Sequence, residues 1–459
     1  MNWSALARAF FLALGVFALA CLPPAFVAVA AEERNAYLLS ACAIGAVAGA
    51  GALAAPRRRG DSRFREGMLF AVGLWFVVPV FAAAPMAMTG LSLVDAYFDA
   101  VSAVTTTGLW RRPDAVYGDN AAVLYRALLS WLGGFGTLAV IAAVLLKREF
   151  GGVNVRTPSV FAAGEKGVFP AAGRLAGAFT VPYLILTFGL AAALGAAGAG
   201  GFDALILALG AAASSGAIVD PEALAQQPAA VLAILAVGQA LGAVSFFFTA
   251  LLVTGRSPRI DEETGAFIAV VAVVAAAFWL YEPAAGLTRF AEHLFNANGL
   301  FSTNGLILGA PPPITPTLVA ACIGGSVLST AGGLKLARWL SVFRRARREL
   351  RRLATPEAVA RTPRNRDALG VWVHFTAFVF VLAALVLALA SGGAELPDAA
   401  IGAVAAFANV GPLAAQAGES FVAAAETPAA TIALIIAMAL GRLDAVAALA
   451  ILTRAFWRS

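Results

Sequence analysis

Four short stretches of this sequence run into a glycine: Thr105-Thr106-Thr107-Gly108-Leu109, Ser214-Ser215-Gly216-Ala217, Ser302-Thr303-Asn304-Gly305-Leu306 and Asn409-Val410-Gly411-Pro412. None contains a charge or a nucleophile–base pair. The chemistry open to them is that of the backbone carbonyl. Glycine permits the φ > 0 angles that a chain needs to turn back in an extended form. Four such turns around one axis would give rings of carbonyl oxygens, which can replace the hydration shell of an alkali cation. The side chains before the glycine are then free to differ, as Thr107, Ser215, Asn304 and Val410 do. The predicted cation-binding residues are Thr106, Thr107, Gly108, Ser214, Ser215, Gly216, Thr303, Asn304, Gly305, Asn409, Val410 and Gly411.

The four stretches share a register. Thirteen residues before each glycine stands an acid: Asp95, Asp203, Glu292 and Asp398. Only 26 acids occur in 459 residues, so four at one offset point to a repeat. Eight residues before each glycine is an alanine (Ala100, Ala208, Ala297, Ala403), a weaker sign in an Ala-rich chain. Each acid is predicted to begin a short helix, to cap its free N–H groups and to complement its positive end. Capping at a membrane surface would by itself account for any one of them. The negative ends of four such helices would converge where a cation could sit.

The elements that must hold these turns follow from composition. The chain is 61% hydrophobic and 13% charged, with a mean hydropathy of +0.85. Soluble domains carry about a quarter charged residues, so the chain is read as an all-α integral membrane protein. Ten apolar spans of helix-crossing length fall near 5–30, 37–55, 67–84, 121–146, 175–198, 229–254, 266–283, 314–343, 369–390 and 428–453. The first is read as a membrane helix bent at Pro23-Pro24; its alternative is a signal peptide cut after Ala28-Val29-Ala30-Ala31. Four segments, 93–104, 203–213, 290–301 and 398–408, are too short to cross. Basic residues cluster in every second loop: Arg57 to Arg65, Lys147 to Arg174, Arg256 and Arg259, Arg344 to Arg366, and Arg454 and Arg458. By the positive-inside rule both termini are cytoplasmic and each short segment enters and leaves from outside. The net charge of +6 thus reports topology, not nucleic-acid binding. After an extension at 1–60, the repeats are 61–166, 167–262, 263–362 and 363–459.

Span eight is interrupted by Gly324-Gly325-Ser326-Val327-Leu328-Ser329-Thr330-Ala331-Gly332-Gly333. Four glycines and three hydroxyls weaken a helix, and non-helical backbone at that depth needs protein or water around it. A small-residue packing face is the plainer alternative. Arg442 is a lone charge inside span ten, a position that is costly and usually functional. Lys335, just after the break, could instead snorkel to the cytoplasm. The basic run 344–366 suits a helix end beside anionic lipid, with docking of a cytosolic partner compatible. Cys21, Cys42 and Cys322 have no ligand spacing, and His293 and His374 share no motif, so metal catalysis has little raw material.

These residues together resemble the TrkH/KtrB/HKT superfamily of potassium transporters, and most the TrkH branch, over essentially the whole chain. The resemblance is carried by Phe98-Asp99-Ala100-Val101-Ser102 leading into Thr105–Gly108, and by Trp131-Leu132-Gly133-Gly134-Phe135-Gly136. It extends through Gly324–Lys335, Asn409–Pro412, Gly441-Arg442-Leu443-Asp444 and Phe456-Trp457-Arg458. It implies ten transmembrane helices, the last eight forming four membrane–pore–membrane repeats, and K+ passing a filter with glycine in all four turns. A serine at the first turn marks sodium-preferring plant relatives; here that residue is Gly108. The second turn, Ala213 to Ala217, departs from the family pattern. The resemblance further implies a gate of Gly324, Gly325, Ser326, Ser329, Thr330, Gly332, Gly333 and Lys335 below the filter, with Arg442 as barrier or anchor beneath it. A homodimer regulated by a cytosolic nucleotide-binding ring of the TrkA type in the bacterial inner membrane also follows from it. This chain itself has no P-loop, no Gly-x-Gly-x-x-Gly unit and no organic cofactor motif. The alternative function is a secondary transporter coupling K+ to Na+ or H+ through discontinuous helices. An intramembrane enzyme has no visible catalytic set.

Overall fold

A computed structural model describes residues 2–28, 31–55, 64–113, 116–140, 168–258, 260–281, 286–354, 367–443 and 453–458. The basic loops around Arg57–Arg63, Lys147–Lys166 and Arg361–Arg366, together with Asp444, lie outside the described residues, as do the end of span four and most of the end of span ten. All regular structure among the described residues is helical. In order these helices are α1 (Trp3–Leu19), α2 (Leu22–Val27), α3 (Ala31–Ala54), α4 (Phe64–Phe76), α5 (Val78–Met88), α6 (Leu93–Val104) and α7 (Asn120–Val140). There follow α8 (Val168–Ala196), α9 (Gly201–Ala213), α10 (Ala229–Ala243), α11 (Phe246–Val253), α12 (Glu262–Tyr281) and α13 (Leu287–Phe301). The last are α14 (Ile314–Ile323), α15 (Leu336–Ala354), α16 (Asp367–Ser391), α17 (Leu396–Phe407), α18 (Glu419–Ala425), α19 (Pro428–Leu443) and α20 (Arg454–Arg458).

Seven stretches among the described residues are long and apolar enough to cross a bilayer: Trp3–Val27, Arg34–Ala54, Arg65–Met88, Asn120–Val140, Val168–Ala196, Glu262–Tyr281 and Gly370–Ser391. Of the three other predicted spans, six and eight are not single helices, while ten is one helix, α19, as far as it is described. Span six breaks between α10 and α11, where Val244 is extended and Ser245 begins the next helix. Span eight breaks between α14 and α15. The last apolar region bends by 93° between α18 and α19. Each break leaves backbone groups to be satisfied from elsewhere, and the first two satisfy each other, as described below.

The four short helices α6, α9, α13 and α17 form the centre. The residues from Phe98 to Val104, Ile206 to Ala213 and Ile401 to Phe407 are all buried. The long helices surround them and keep large apolar side chains such as Phe188, Ile268 and Phe380 on the outside. Large apolar side chains on the outside suit lipid as solvent, and small residues where helices meet allow their close approach. Trp131 stacks on Tyr183 at 5.0 Å, and Tyr183 meets Phe246 edge-on, so α7, α8 and α11 are joined beside the second turn. Close packing at the centre depends on small residues. A methyl group at Gly133 of α7 would overlap the Val104 carbonyl at the end of α6.

Overpacking costs about 1–3 kcal/mol. Gly133→Val is therefore expected to lower the thermal midpoint of the detergent-solubilised protein. Gly45→Ala, on α3 with nothing within 4 Å, should leave it unchanged or raise it. Equal midpoints for the two variants would refute the close contact of α6 and α7.

Candidate functional site: four glycine turns and the loop beneath them

Each short helix ends in the same way. Two residues before each glycine, a residue that is not glycine takes the left-handed conformation: Thr106 (φ 55°), Ser214 (57°), Thr303 (57°) and Asn409 (56°). Such angles cost roughly 1–2 kcal/mol per non-glycine residue. Helix-closing hydrogen bonds hold them. Thr106 N–H donates to Ala103 O and Thr107 N–H to Ser102 O, both at 2.8 Å. The second turn repeats this with Ser215 N–H to Gly210 O at 3.0 Å, and the fourth with Val410 N–H to Ala405 O at 2.8 Å. In the third turn the closing donor is Gly305 N–H, to Gly299 O at 3.0 Å. This is the Schellman closure, with Thr, Ser or Asn where glycine is usual.

The glycines close a ring. A methyl group at Gly108 would overlap Ser215 O, one at Gly216 would overlap Asn304 O, and one at Gly305 would lie 2.9 Å from Val410 Cγ1. At Gly411 it would overlap Thr107 O and Leu109 N. Each glycine thus packs on the residue preceding the glycine of the next turn, in the order one, two, three, four, one. Gly108, Gly216 and Gly305 have φ between 62° and 74°. Gly411 does not have positive φ: it opens a 3₁₀ turn over Gly411–Gln416 with Pro412 next. The expectation that glycine supplies a left-handed angle fails there, and steric approach to the first turn is what requires it. Gly411 N–H donates to Thr107 O at 2.7 Å, and Asn409 Nδ2 donates to Thr107 Oγ1 at 2.8 Å, sealing the fourth turn to the first. Thr106 Oγ1 and Ser215 Oγ are buried in the ring with no hydrogen-bond partner. Pro412 lies against the other three glycines: methyl groups at Gly108, Gly216 and Gly305 would all come within 3.5 Å of it.

The broken part of span eight lies under this ring and touches the second, third and fourth turns, with Arg442 linking it to the first. Ser326 N–H donates to Ala243 O at 2.8 Å, Thr330 N–H to Gly242 O at 3.1 Å, and Phe246 N–H to Leu328 O at 2.6 Å. The two broken spans therefore satisfy each other. Thr330 Oγ1 is within 3.0 Å of Ala212 O, Gly242 O and Ser214 Oγ, under the second turn. Gly332 N–H donates to Thr303 Oγ1 of the third turn at 2.8 Å. A methyl group at Gly332 would overlap Ala408 O of the fourth. Gly324 and Gly333 have φ of 72° and 75° and face each other where the loop leaves and rejoins the helix line. Gly325 packs on Ala243 O, and Ser329 Oγ donates to Ser326 O at 2.7 Å. Arg442, 7% exposed, completes the set: Nη1 donates to Thr330 O at 2.6 Å and Nε to Thr105 O. Its guanidinium thus joins the loop to the negative end of α6. Lys335 does not snorkel outward. It folds back to donate to Ala331 O, from a φ of 76°.

The four acids need correction as caps. Ser92, not Asp95, accepts from the helix N–H groups of α6; Asp95 accepts from Ser92 Oγ at 2.8 Å and pairs with Arg111 Nε at 2.7 Å. Glu292 is the sixth residue of α13, which starts at Leu287, and it pairs with Arg289 one turn earlier. Asp398, in the first turn of α17, accepts from Ser420 Oγ; that bond and one from Gly418 N–H hold its carboxyl below the usual range. Asp203 is in the first turn of α9, whose start at Gly200 has no side-chain cap. First-turn Asp95, Asp203 and Asp398 still complement the helix dipole, Asp95 and Asp398 tie their helices to side chains outside them, and Glu292 pairs within its own helix.

No protein-family profile matches the chain. The Trk system potassium uptake protein TrkH of Salmonella typhimurium is 29% identical over 428 residues, 88% of each chain. The TrkH of Halomonas elongata is 28% identical over 97% of this chain and 98% of its own length. Among solved structures, the potassium transporter TrkH from Vibrio parahaemolyticus matches with a TM-score of 0.85 at 26% identity, covering all of both chains. The chain is thus similar to Trk system potassium uptake proteins over essentially its whole length.

Within this TrkH-like chain the sequence reading passed over several residues. Asp99 and Arg126 form a fully buried ion pair at 2.8 Å behind the first turn. Asn296, nine residues before Gly305 as Asp99 is nine before Gly108, bonds the backbone of Leu308 behind the third. The shared offset was a readable signal, as was a charge at Arg126 inside span four. Pro412 and the four left-handed residues were named, but nothing in the sequence marked the packing of the one or the backbone angle of the others.

Replacing the Thr330 hydroxyl removes three contacts while keeping side-chain shape. Thr330→Val is expected to speed amide exchange at Thr330–Gly332 by about tenfold or more, the scale of a lost buried bond. Unchanged protection by exchange mass spectrometry would show that the loop is held otherwise.

Proposed function

We propose that this chain is a potassium uptake protein of the bacterial inner membrane, passing K+ through the ring of glycine turns and gated by the loop at 324–335. The observation that carries this reading is the cyclic packing of the four turns, with one loop against three of them and Arg442 joining it to the first. A ring that is closed by backbone contacts holds carbonyl and hydroxyl oxygens at fixed separations, which is what discrimination among alkali ions requires. The negative ends of α6, α9, α13 and α17 meet there, and the orphaned Thr106 and Ser215 hydroxyls suit a cation as partner. The names of the relatives, all components of potassium uptake, support the choice of ion.

The finer reading has ten crossings, the last eight forming four repeats with boundaries at 61, 167, 263 and 363. Both termini lie in the cytoplasm, supported by the basic loops of the sequence. Thr106, Thr107 and Gly108, with their counterparts Ser214, Ser215, Gly216, Thr303, Asn304, Gly305, Asn409, Val410 and Gly411, form the filter. Thr330 and Arg442 hold the gate loop shut by bonding it to the second turn and to the first. K+ is the transported ion and nothing in this reading needs an organic cofactor or an enzymatic step. A homodimer served by a cytosolic regulatory subunit of the TrkA type is consistent with relatives named as parts of a Trk system. Exposed Arg344, Arg345, Arg347 and Arg348 on α15 offer a cationic surface to that partner or to anionic lipid.

Rubidium and sodium uptake into proteoliposomes tests the filter. Gly108→Ser is expected to lower the Rb+/Na+ ratio by roughly tenfold or more, because the added side chain displaces Ser215 O from the ring. A ratio equal to the parent's sinks the filter assignment. Arg442→Ala leaves Thr330 O and Thr105 O without their donors and is expected to raise passive Rb+ leak several-fold. Parental leak, with the protein shown to be folded, would remove Arg442 from the gate.

A further inference from the structure

The four turns are not backed alike. In the first, the strand that leaves Gly108 is pinned to its own helix: Asp99 Oδ1 accepts Arg111 N–H at 3.1 Å. In the third, Asn296 Oδ1 accepts Leu308 N–H at 2.7 Å and Asn296 Nδ2 returns a bond to Leu308 O at 3.0 Å. Both clamps join the residue nine before the glycine to the residue three after it. Both side chains are fully buried. The second and fourth turns have Leu207 and Gly402 at that register, which cannot clamp, and their outward chains coil instead into 3₁₀ turns at Glu222–Gln226 and Gly411–Gln416.

The first clamp carries a charge, and a buried carboxylate needs a partner. Arg126 of α7 supplies it, with Nε at 3.2 Å and Nη2 at 2.8 Å from Asp99 Oδ2. Nη1 is spent on Ala122 O, and the guanidinium lies 5.7 Å from the centre of the Trp110 ring. Trp110 is itself on the clamped strand, so Arg126 grips that strand from two sides. A pair placed only to stabilise α6 against α7 would have no reason to recur, in neutral form and at the same register, in the third turn.

We propose that Asp99 and Asn296 are positioning residues for cation discrimination, pinning the outward strands of the first and third turns, with Arg126 the counter-charge that lets a carboxylate serve at Asp99. This rests on the filter reading above. Neither residue touches the ion. They act by fixing the strands that carry the carbonyls of Gly108 and Gly305.

The test uses the full-length protein in proteoliposomes, measuring the Rb+/Na+ uptake ratio for each variant that elutes as folded protein. Asp99→Leu/Arg126→Leu removes clamp and charge together while filling the space, and is expected to lower the ratio by roughly tenfold, the scale of one lost buried hydrogen bond. Asp99→Asn/Arg126→Gln gives the first turn the neutral amide of the third and should restore most of it. Asn296→Leu, which disturbs no charge, should lower the ratio on its own and decides the matter if the leucine pair does not fold. A parental ratio in Asn296→Leu or in the folded leucine pair overturns the proposal, as does an equal loss in the two double variants. Gly108→Ser is run beside them. If it too keeps the parental ratio, the filter reading has failed; if it shifts the ratio and no clamp variant does, only the clamp has failed.

Discussion

Backbone polar groups at membrane depth cannot be left to water, and the centre of this protein is built of backbone that is not helical. Each unsatisfied group in hydrocarbon costs several kcal/mol. The answer here is mutual: two broken spans face each other so that Gly242, Ala243 and Phe246 of one satisfy Ser326, Leu328 and Thr330 of the other. The helix ends above them are closed by Schellman bonds. What remains is given to hydroxyls and to one guanidinium. Arg442 is tolerable inside a span because two buried carbonyls receive it.

From that constraint the glycines follow. Four extended turns brought close enough to bond one another leave no room for side chains where they touch. Three of the glycines also bend the chain, but Gly411 shows that approach, not angle, is the common requirement. The bend is shared with Thr106, Ser214, Thr303 and Asn409, which hold a strained conformation because helix closure and ring packing together leave no other.

Much of this was legible because it is repeated. The acid-to-glycine interval located four short buried helices, and the glycine–hydroxyl run located a break. Repetition hides what each copy does differently. The start of α13 was misplaced because Glu292 stands in register with the other acids while its helix begins five residues earlier. The acids keep their spacing although none caps its own helix, since the spacing is also met by ties to Arg111, Arg289 and Ser420. Resemblance places Lys335 with the loop and its charge offers it to the cytoplasm; it donates to a carbonyl of the loop. The left-handed residues left no trace in composition, because any short polar side chain can be forced there. The shared place of Asp99 and Asn296 was visible only in a second interval, nine residues before the glycine.

The loop's partners are distributed along the chain in a way that bears on how the protein is made. Ala212, Ser214, Gly242, Ala243 and Thr303 all precede it and Ala408 follows, so most of its receptacle exists before the loop emerges from the ribosome. Arg442 comes more than a hundred residues later. Through all that synthesis Thr330 O and Thr105 O lack their donor, and the central knot is incomplete. Helix α19 therefore does more than add a wall: its arrival is the event that finishes the interior, and a chain stopped short of it would sit in the membrane with its middle unsecured.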